Sequence, residues 1–192
     1  MDEEHDMLQE TSSRMTYEDL SLLPDDGLRH ELIDGVHYVT ASPVTRHQRI
    51  LRRLAVEIEL WLRDHPTGEM FFAPLDVVLS RYDVVVPDLI YVSAARSEGL
   101  EAKGLFAAPD LAVEILSPST RHRDETLKRQ LYDRVGVAEY WLIDPDHNVV
   151  AVSRRDREQL RPAGVLTALN DDELTSPLFP GFTMRLRSLL EK

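Results

Sequence analysis

Two segments of this chain are apolar on both strand faces, yet each carries one carboxylate: Val84-Val85-Val86-Pro87-Asp88-Leu89-Ile90-Tyr91-Val92 and Leu111-Ala112-Val113-Glu114-Ile115-Leu116. Near-continuous apolar runs of this length read as strands covered on both faces, which places them at the centre of a sheet. An ionised carboxylate there loses hydration worth several kcal/mol and needs a cation, several hydrogen bonds or a metal ion. Two of them on neighbouring strands repel each other, and a divalent cation between them reverses that sign. Hard oxygen ligands are what magnesium accepts. Each residue also has a plain alternative. Pro-Asp commonly marks a turn, and Glu114 could be a strand-edge glutamate paired with an arginine. The apolar flanks favour a strand interior for both.

The rest of the chain supplies layers to cover such a sheet. Thr16, followed by Glu18 and Asp19, reads as the N-cap of a short helix that stops at Pro24 and packs as a lid. Leu28–Ile33 and Val36–Thr40 flank Asp34-Gly35, the strongest short-range hairpin signal, which sets Glu31 opposite Tyr38. Glu31 then shares a face with Ile33 and Val36, although exposed glutamates are also common on hairpin edges. From Thr45 to Asp64 the residues Ile50, Leu51, Leu54, Ile58 and Trp61 recur at helical spacing, with Arg46, Arg49 and Arg53 on another stripe. Strands are expected at Met70–Leu79, at Val84–Val92 and around Glu114. A helix is expected from Asp124 to Val135, capped by Gly136. Tyr140–Ile143 and Val149–Val152 form a further strand pair, and the tail is mostly strand with a short final helix. No repeat or low-complexity tract is present.

At 192 residues the chain fits one domain, expected over 15–192 behind an acidic, disordered leader at 1–14. There is no cysteine, which removes disulfides, thiolate nucleophiles and Cys-type zinc sites and suits a reducing cytoplasm. The first residues are acidic where a secretory signal is basic, and no apolar run is long enough to span a bilayer. A net charge of −12 opposes sequence-independent attraction to phosphate backbones.

Other constellations carry less. None of the seven histidines is spaced from another like a zinc pair. His122-Arg123-Asp124 lacks the downstream asparagine of a kinase loop, since Arg129 stands in its place. Asp144-Pro145-Asp146 reads as a turn, and Ser117 and Ser119 have no nucleophile-elbow context. Lys128 lies four residues after Asp124 and four before Tyr132, so the three form one stripe. That stripe is either an ordinary helix-surface ion pair or a long stem reaching into a cleft.

The order His30-Glu31-Leu32-Ile33-Asp34-Gly35, Val86-Pro87-Asp88-Leu89, Val113-Glu114-Ile115-Leu116-Ser117-Pro118-Ser119-Thr120, Asp124-x-x-x-Lys128-x-x-x-Tyr132 and Gly136-Val137-x-Glu139-Tyr140-Trp141-Leu142-Ile143-Asp144-Pro145 resembles one family closely. It is that of the Uma-type putative restriction endonucleases, a branch of the PD-(D/E)XK nuclease superfamily, and the resemblance runs from about Thr16 to the C-terminal strands. The resemblance implies a mixed α/β, restriction-endonuclease-like fold: a central mixed β-sheet flanked by helices, with an N-terminal β-hairpin and a C-terminal β extension. It implies that Asp88, Glu114 and Glu31 ligate magnesium or manganese. The superfamily lysine should stand two residues after Glu114, where this chain has Leu116. Lys128 matches the family pattern, and its ammonium is expected to reach the same cavity from the next helix.

The implied activity is metal-dependent hydrolysis of DNA phosphodiester bonds, with Asp88, Glu114, Lys128 and Glu31 as catalytic residues. The candidate DNA-facing surface combines Arg46, Arg49, Arg53, Arg121, Arg123 and Arg129, and superfamily analogy suggests a homodimer. Solvated helix faces explain any single one of these arginines equally well. The competing class is a catalytically inactive binding or assembly module on the same fold, favoured by Leu116 and the acidic balance. Hydrolysis of another phosphate ester or of a glycoside by paired carboxylates ranks below both.

Overall fold

The chain was analysed as a computed structural model, which describes residues 14–191. The expected acidic leader lies outside them except for Arg14, whose guanidinium donates to the Asp34 carbonyl at 2.8 Å. The elements are α1 (Tyr17–Leu20), β1 (Arg29–Ile33), β2 (Val36–Thr40), α2 (Thr45–Asp64), β3 (Gly68–Phe72), β4 (Val77–Ser80), β5 (Asp83–Val85), β6 (Leu89–Ser93), β7 (Leu100–Glu101), β8 (Gly104–Leu105), β9 (Leu111–Ile115), α3 (Arg129–Val135), β10 (Glu139–Asp144), β11 (Val149–Asp156), β12 (Gln159–Thr167), β13 (Glu173–Ser176), β14 (Phe179–Arg185) and α4 (Leu186–Leu190). A π-helical stretch, Arg123–Lys128, runs directly into α3.

The strands form two six-stranded mixed sheets, β2-β1-β5-β4-β8-β7 and β12-β11-β10-β9-β6-β3, with β13 and β14 as a separate pair. This is the expected mixed α/β class, with two large sheets where one was anticipated. The difference arises in the runs Met70–Leu79 and Val84–Val92, each expected as a single strand. Each contains a proline, Pro74 or Pro87, which has no N–H for a ladder. The chain leaves the second sheet after β3, builds β4 and β5 in the first, and returns to the second at β6. Asp88 therefore lies in the crossing between the sheets, one residue before β6, and not in a strand interior.

Local chemistry fixes the elements that hold the site. Thr16 caps α1 through a reciprocal capping box with Asp19. Asp34 and Gly35 both adopt positive φ, +52° and +77°, as a two-residue type I′ turn requires, and the hairpin pairs Glu31 with Tyr38. Helix α2 lays Ile50, Leu54 and Ile58 against one face of the second sheet, where Leu111, Val113 and Trp141 meet them. Burying each such side chain stabilises the fold by about 1.5–3 kcal/mol. The opposite face packs on α3 and the first sheet through Ile90, Ala112, Leu131, Tyr132 and Tyr140. Gly136 ends α3 in the left-handed conformation, φ +86°. Among the described residues, no helix is long and apolar enough to cross a membrane.

Candidate active site

The last hydrogen-bonded rung between β6 and β9 pairs Leu89 with Val113. One step further along this antiparallel register sets Asp88 opposite Glu114, on the face that carries Ile90 and Ala112. The Asp88 carboxylate accepts the N–H of Ile115, the residue after Glu114, at 2.8 Å, which ties Asp88 to the β9 segment that carries Glu114. Glu31 arrives from β1 in the other sheet, where its Oε1 accepts the Val86 N–H at 2.9 Å. All three are at most 2 % exposed, which settles Glu31 as an interior residue and not an edge glutamate.

Lys128 joins them from the π-helical stretch, fully buried. Its ammonium lies 2.7 Å from Glu31 Oε1, 2.8 Å from Glu114 Oε1 and 3.6 Å from Asp124 Oδ1. The Tyr132 hydroxyl donates to the same Glu114 oxygen at 3.1 Å. Lys128 and Tyr132 of the stripe expected from spacing thus meet on the Glu114 carboxylate, with Asp124 beside Lys128, and the surface-pair alternative is excluded. Three further side chains and one backbone N–H complete the cluster. Arg29 Nη1 and His47 Nε2 each lie 2.9 Å from an Asp88 oxygen, and the Ile115 N–H donates to Asp88 at 2.8 Å. Arg123 pairs with Glu31 Oε2 at 3.1 Å and donates to Thr40 Oγ1 at 2.6 Å.

Four buried carboxylates, Glu31, Asp88, Glu114 and Asp124, face three permanent cations, Arg29, Arg123 and Lys128. The surplus negative charge falls on Glu114. Burial pushes its carboxyl up to about 8, Asp124, Asp88 and Glu31 add to the rise, and Lys128 opposes it. For Lys128, burial alone would favour loss of the proton, but Glu114, Glu31 and Asp124 outweigh it and hold the ammonium charged. Burial would likewise raise Asp88, yet His47, Arg29 and the Ile115 N–H keep it below its ordinary value.

A cleft of about 520 Å³ opens onto this cluster. Arg29, His47 and Asp88 line its inner end, while Leu20, Leu23 and Leu28 wall it on the side of α1. Glu31, Glu114 and Lys128 are buried and do not line it. Among the described residues, no three His, Asp or Glu side chains gather closely enough to hold an ion. The expected trio of ligands is therefore not assembled: Glu31 and Glu114 turn to Lys128, and Asp88 turns to Arg29 and His47. The donor set still suits a hard cation. Asp88 and Glu114 offer only oxygen, and buried Glu31 Oε2 and Asp124 Oδ1 have charged neighbours, Arg123 at 3.1 Å and Lys128 at 3.6 Å, but accept no well-aligned hydrogen bond.

Sequence reasoning missed Arg29 and His47. Period two from Glu31 puts Arg29 on its face, and His47 sits on the buried stripe of α2 with Ile50, Leu51, Leu54 and Ile58, so both signals were present. The arginines expected on a DNA-facing surface divide. Arg123 is buried within the ion cluster. Arg46 donates to Asn148, Arg53 to the Leu189 carbonyl and Arg129 to the Leu160 carbonyl, while Arg121 pairs with Asp144 and Glu125. Arg49 is exposed and lines a small recess with Arg46 and Arg53.

The family model described as Uma2, putative restriction endonuclease, matches residues 16–187. Among solved structures, a crystal structure of a putative nuclease belonging to DUF820 from Anabaena variabilis matches with a TM-score of 0.77 at 23 % identity. That match covers 92 % of this chain and 97 % of the other, and at this identity it shows a shared fold. No curated protein matches the chain.

Proposed function

The chain belongs to the Uma2 family of putative restriction endonucleases, and on that premise we propose that it is a divalent-metal-dependent nuclease that hydrolyses DNA phosphodiester bonds. The observation that carries this reading is the Lys128 ammonium, fully buried between Glu31 and Glu114 and beside the Asp88–Glu114 pair. It supplies from a helix the cation that Leu116 cannot supply from β9. Asp88 and Glu114 are the residues that would hold magnesium or manganese, with Glu31 beside them. When bound, the ion supplies Lewis acidity toward the phosphate and its attacking water.

The chain's own groups have distinct tasks. Lys128 is held protonated, so it donates hydrogen bonds and does not act as a base. It orients the nucleophilic oxygen and stabilises negative charge that develops on the phosphate. Glu31 fixes that ammonium, and Arg123 and the Val86 N–H fix Glu31. Arg29, at the inner end of the cleft, is placed to exchange its bond to Asp88 for one to a phosphate oxygen.

Supercoiled plasmid incubated with manganese or magnesium tests this directly. The parent protein should nick it, while Asp88→Asn and Lys128→Ala should nick it at least about a hundredfold more slowly. Equal nicking by all three proteins would identify a contaminant and overturn the assignment. An RNA of matched sequence tests the preference for DNA.

A further inference from the structure

The dimensions of the cleft restrict what can reach its inner end. Asp88 is 2 % exposed there, so a phosphate meets it only by entering. The volume of about 520 Å³ is that of a sphere about 10 Å across and of an ordinary small-molecule pocket. Duplex DNA is wider than this across its major groove alone, about 12 Å.

The lining is as selective as the size. Among the described residues, Arg29 is the one lysine or arginine in the wall, so the cleft offers a guanidinium to one phosphate and not to a row of them. Asp25 and Asp26 also line it and are exposed. They repel the paired backbones of a duplex, which carry one charge per about 1.7 Å of axis, twice the density of a single strand. Much of the remaining wall is apolar and open to solvent: Leu28 is 45 % exposed, and Pro24 and Pro43 are exposed as well. Leucine and proline are side chains that proteins set against unstacked bases. Bases inside a duplex are stacked on one another and cannot cover such a wall, whereas an unpaired base can.

We propose that the cleft accepts one unpaired nucleotide, its phosphate at Arg29 and its base against Leu28 and the two prolines, and that the preferred substrate is therefore single-stranded DNA. The identity of the polymer rests on the nuclease reading; the strand preference rests on the cleft. A negatively supercoiled plasmid still serves as substrate, because its torsional stress favours local unpairing.

Fluorescence anisotropy on the full chain tests the preference apart from cleavage. A labelled single strand of about 12 nucleotides is titrated in calcium, a hard cation for the same oxygen ligands, beside a blunt duplex of the same sequence. The single strand should bind at least about tenfold more tightly, since the duplex must first unpair a base. Leu28→Ser, which adds no charge at a half-exposed position, should weaken single-strand binding about fivefold and leave the melting temperature and duplex binding unchanged. In manganese, a single-stranded circle should be cut at least about tenfold faster than a relaxed closed plasmid. A duplex bound as tightly as the single strand, no binding of either, or single-strand binding indifferent to Leu28→Ser would overturn the proposal, whether or not plasmid is nicked. A protein that prefers the single strand and cuts no DNA would overturn the nuclease reading and leave the strand preference standing.

Discussion

At the residue scale, the exchange of Leu116 for Lys128 governs what this site can do. A lysine two residues after Glu114 would enter the cluster from the same strand, whereas Lys128 enters from a helix and touches carboxylates from both sheets. Lys128→Ala should lower cleavage about 10²–10³-fold. It should also destabilise the fold by about 3–5 kcal/mol, because buried Glu31 and Glu114 lose their shared cation. Lys128→Met, which preserves volume, should recover part of the packing and none of the activity. Glu114 gives a pH-dependent prediction. Its proton affinity is raised to about 8, so below that pH it is protonated and a poor ligand, and above it it is a carboxylate. The rise in melting temperature caused by manganese should be small at pH 6.5 and larger at pH 8.5, and Glu114→Gln should flatten that dependence. An equal shift at both pH values would remove Glu114 from the ligand set. Asp88 and Glu114 stood out in the sequence because charge in an apolar pattern is conspicuous, whereas Glu31 and Lys128 were singled out by the family resemblance. Arg123 did not, because a helix-surface arginine and a buried one carry the same local pattern when a π-helical turn decides which way it faces.

At the element scale, legibility followed from how local the determining interactions are. The Asp34-Gly35 hairpin and its Glu31–Tyr38 register, the bounds of α2 and the Gly136 cap all rest on neighbouring residues, and all match the structure. The division of Met70–Leu79 and Val84–Val92 between two sheets did not show in hydrophobic pattern, since both sheets bury apolar side chains equally. Only the prolines marked the breaks. Gly35 gives a direct check on the hairpin. Its φ of +77° disfavours any side chain, and a Cβ there would come within 2.5 Å of the Arg14 side chain. Gly35→Ala should cost about 1–2 kcal/mol in a denaturant melt. Because the hairpin delivers Glu31, it should also lower cleavage. Loss of stability without loss of activity would show that Glu31 keeps its place by other means.

At the scale of the whole molecule, charge and architecture set the terms of contact with nucleic acid. The net charge is −12, and Arg46, Arg53, Arg121 and Arg129 already serve protein acceptors. Few phosphates can therefore be neutralised, and the logarithm of the affinity for duplex DNA should fall with the logarithm of salt at a slope no steeper than about −3. A steep slope would mean that these arginines let go of their partners when DNA arrives. The two sheets bear on catalysis more directly. Glu31 belongs to one and Glu114 to the other, and a single nitrogen atom, the Lys128 ammonium, grips both. It acts as a rivet through the seam, and on the proposed mechanism the nitrogen that would meet a phosphate is the one that joins the layers, so cohesion and turnover should depend on the same side chain.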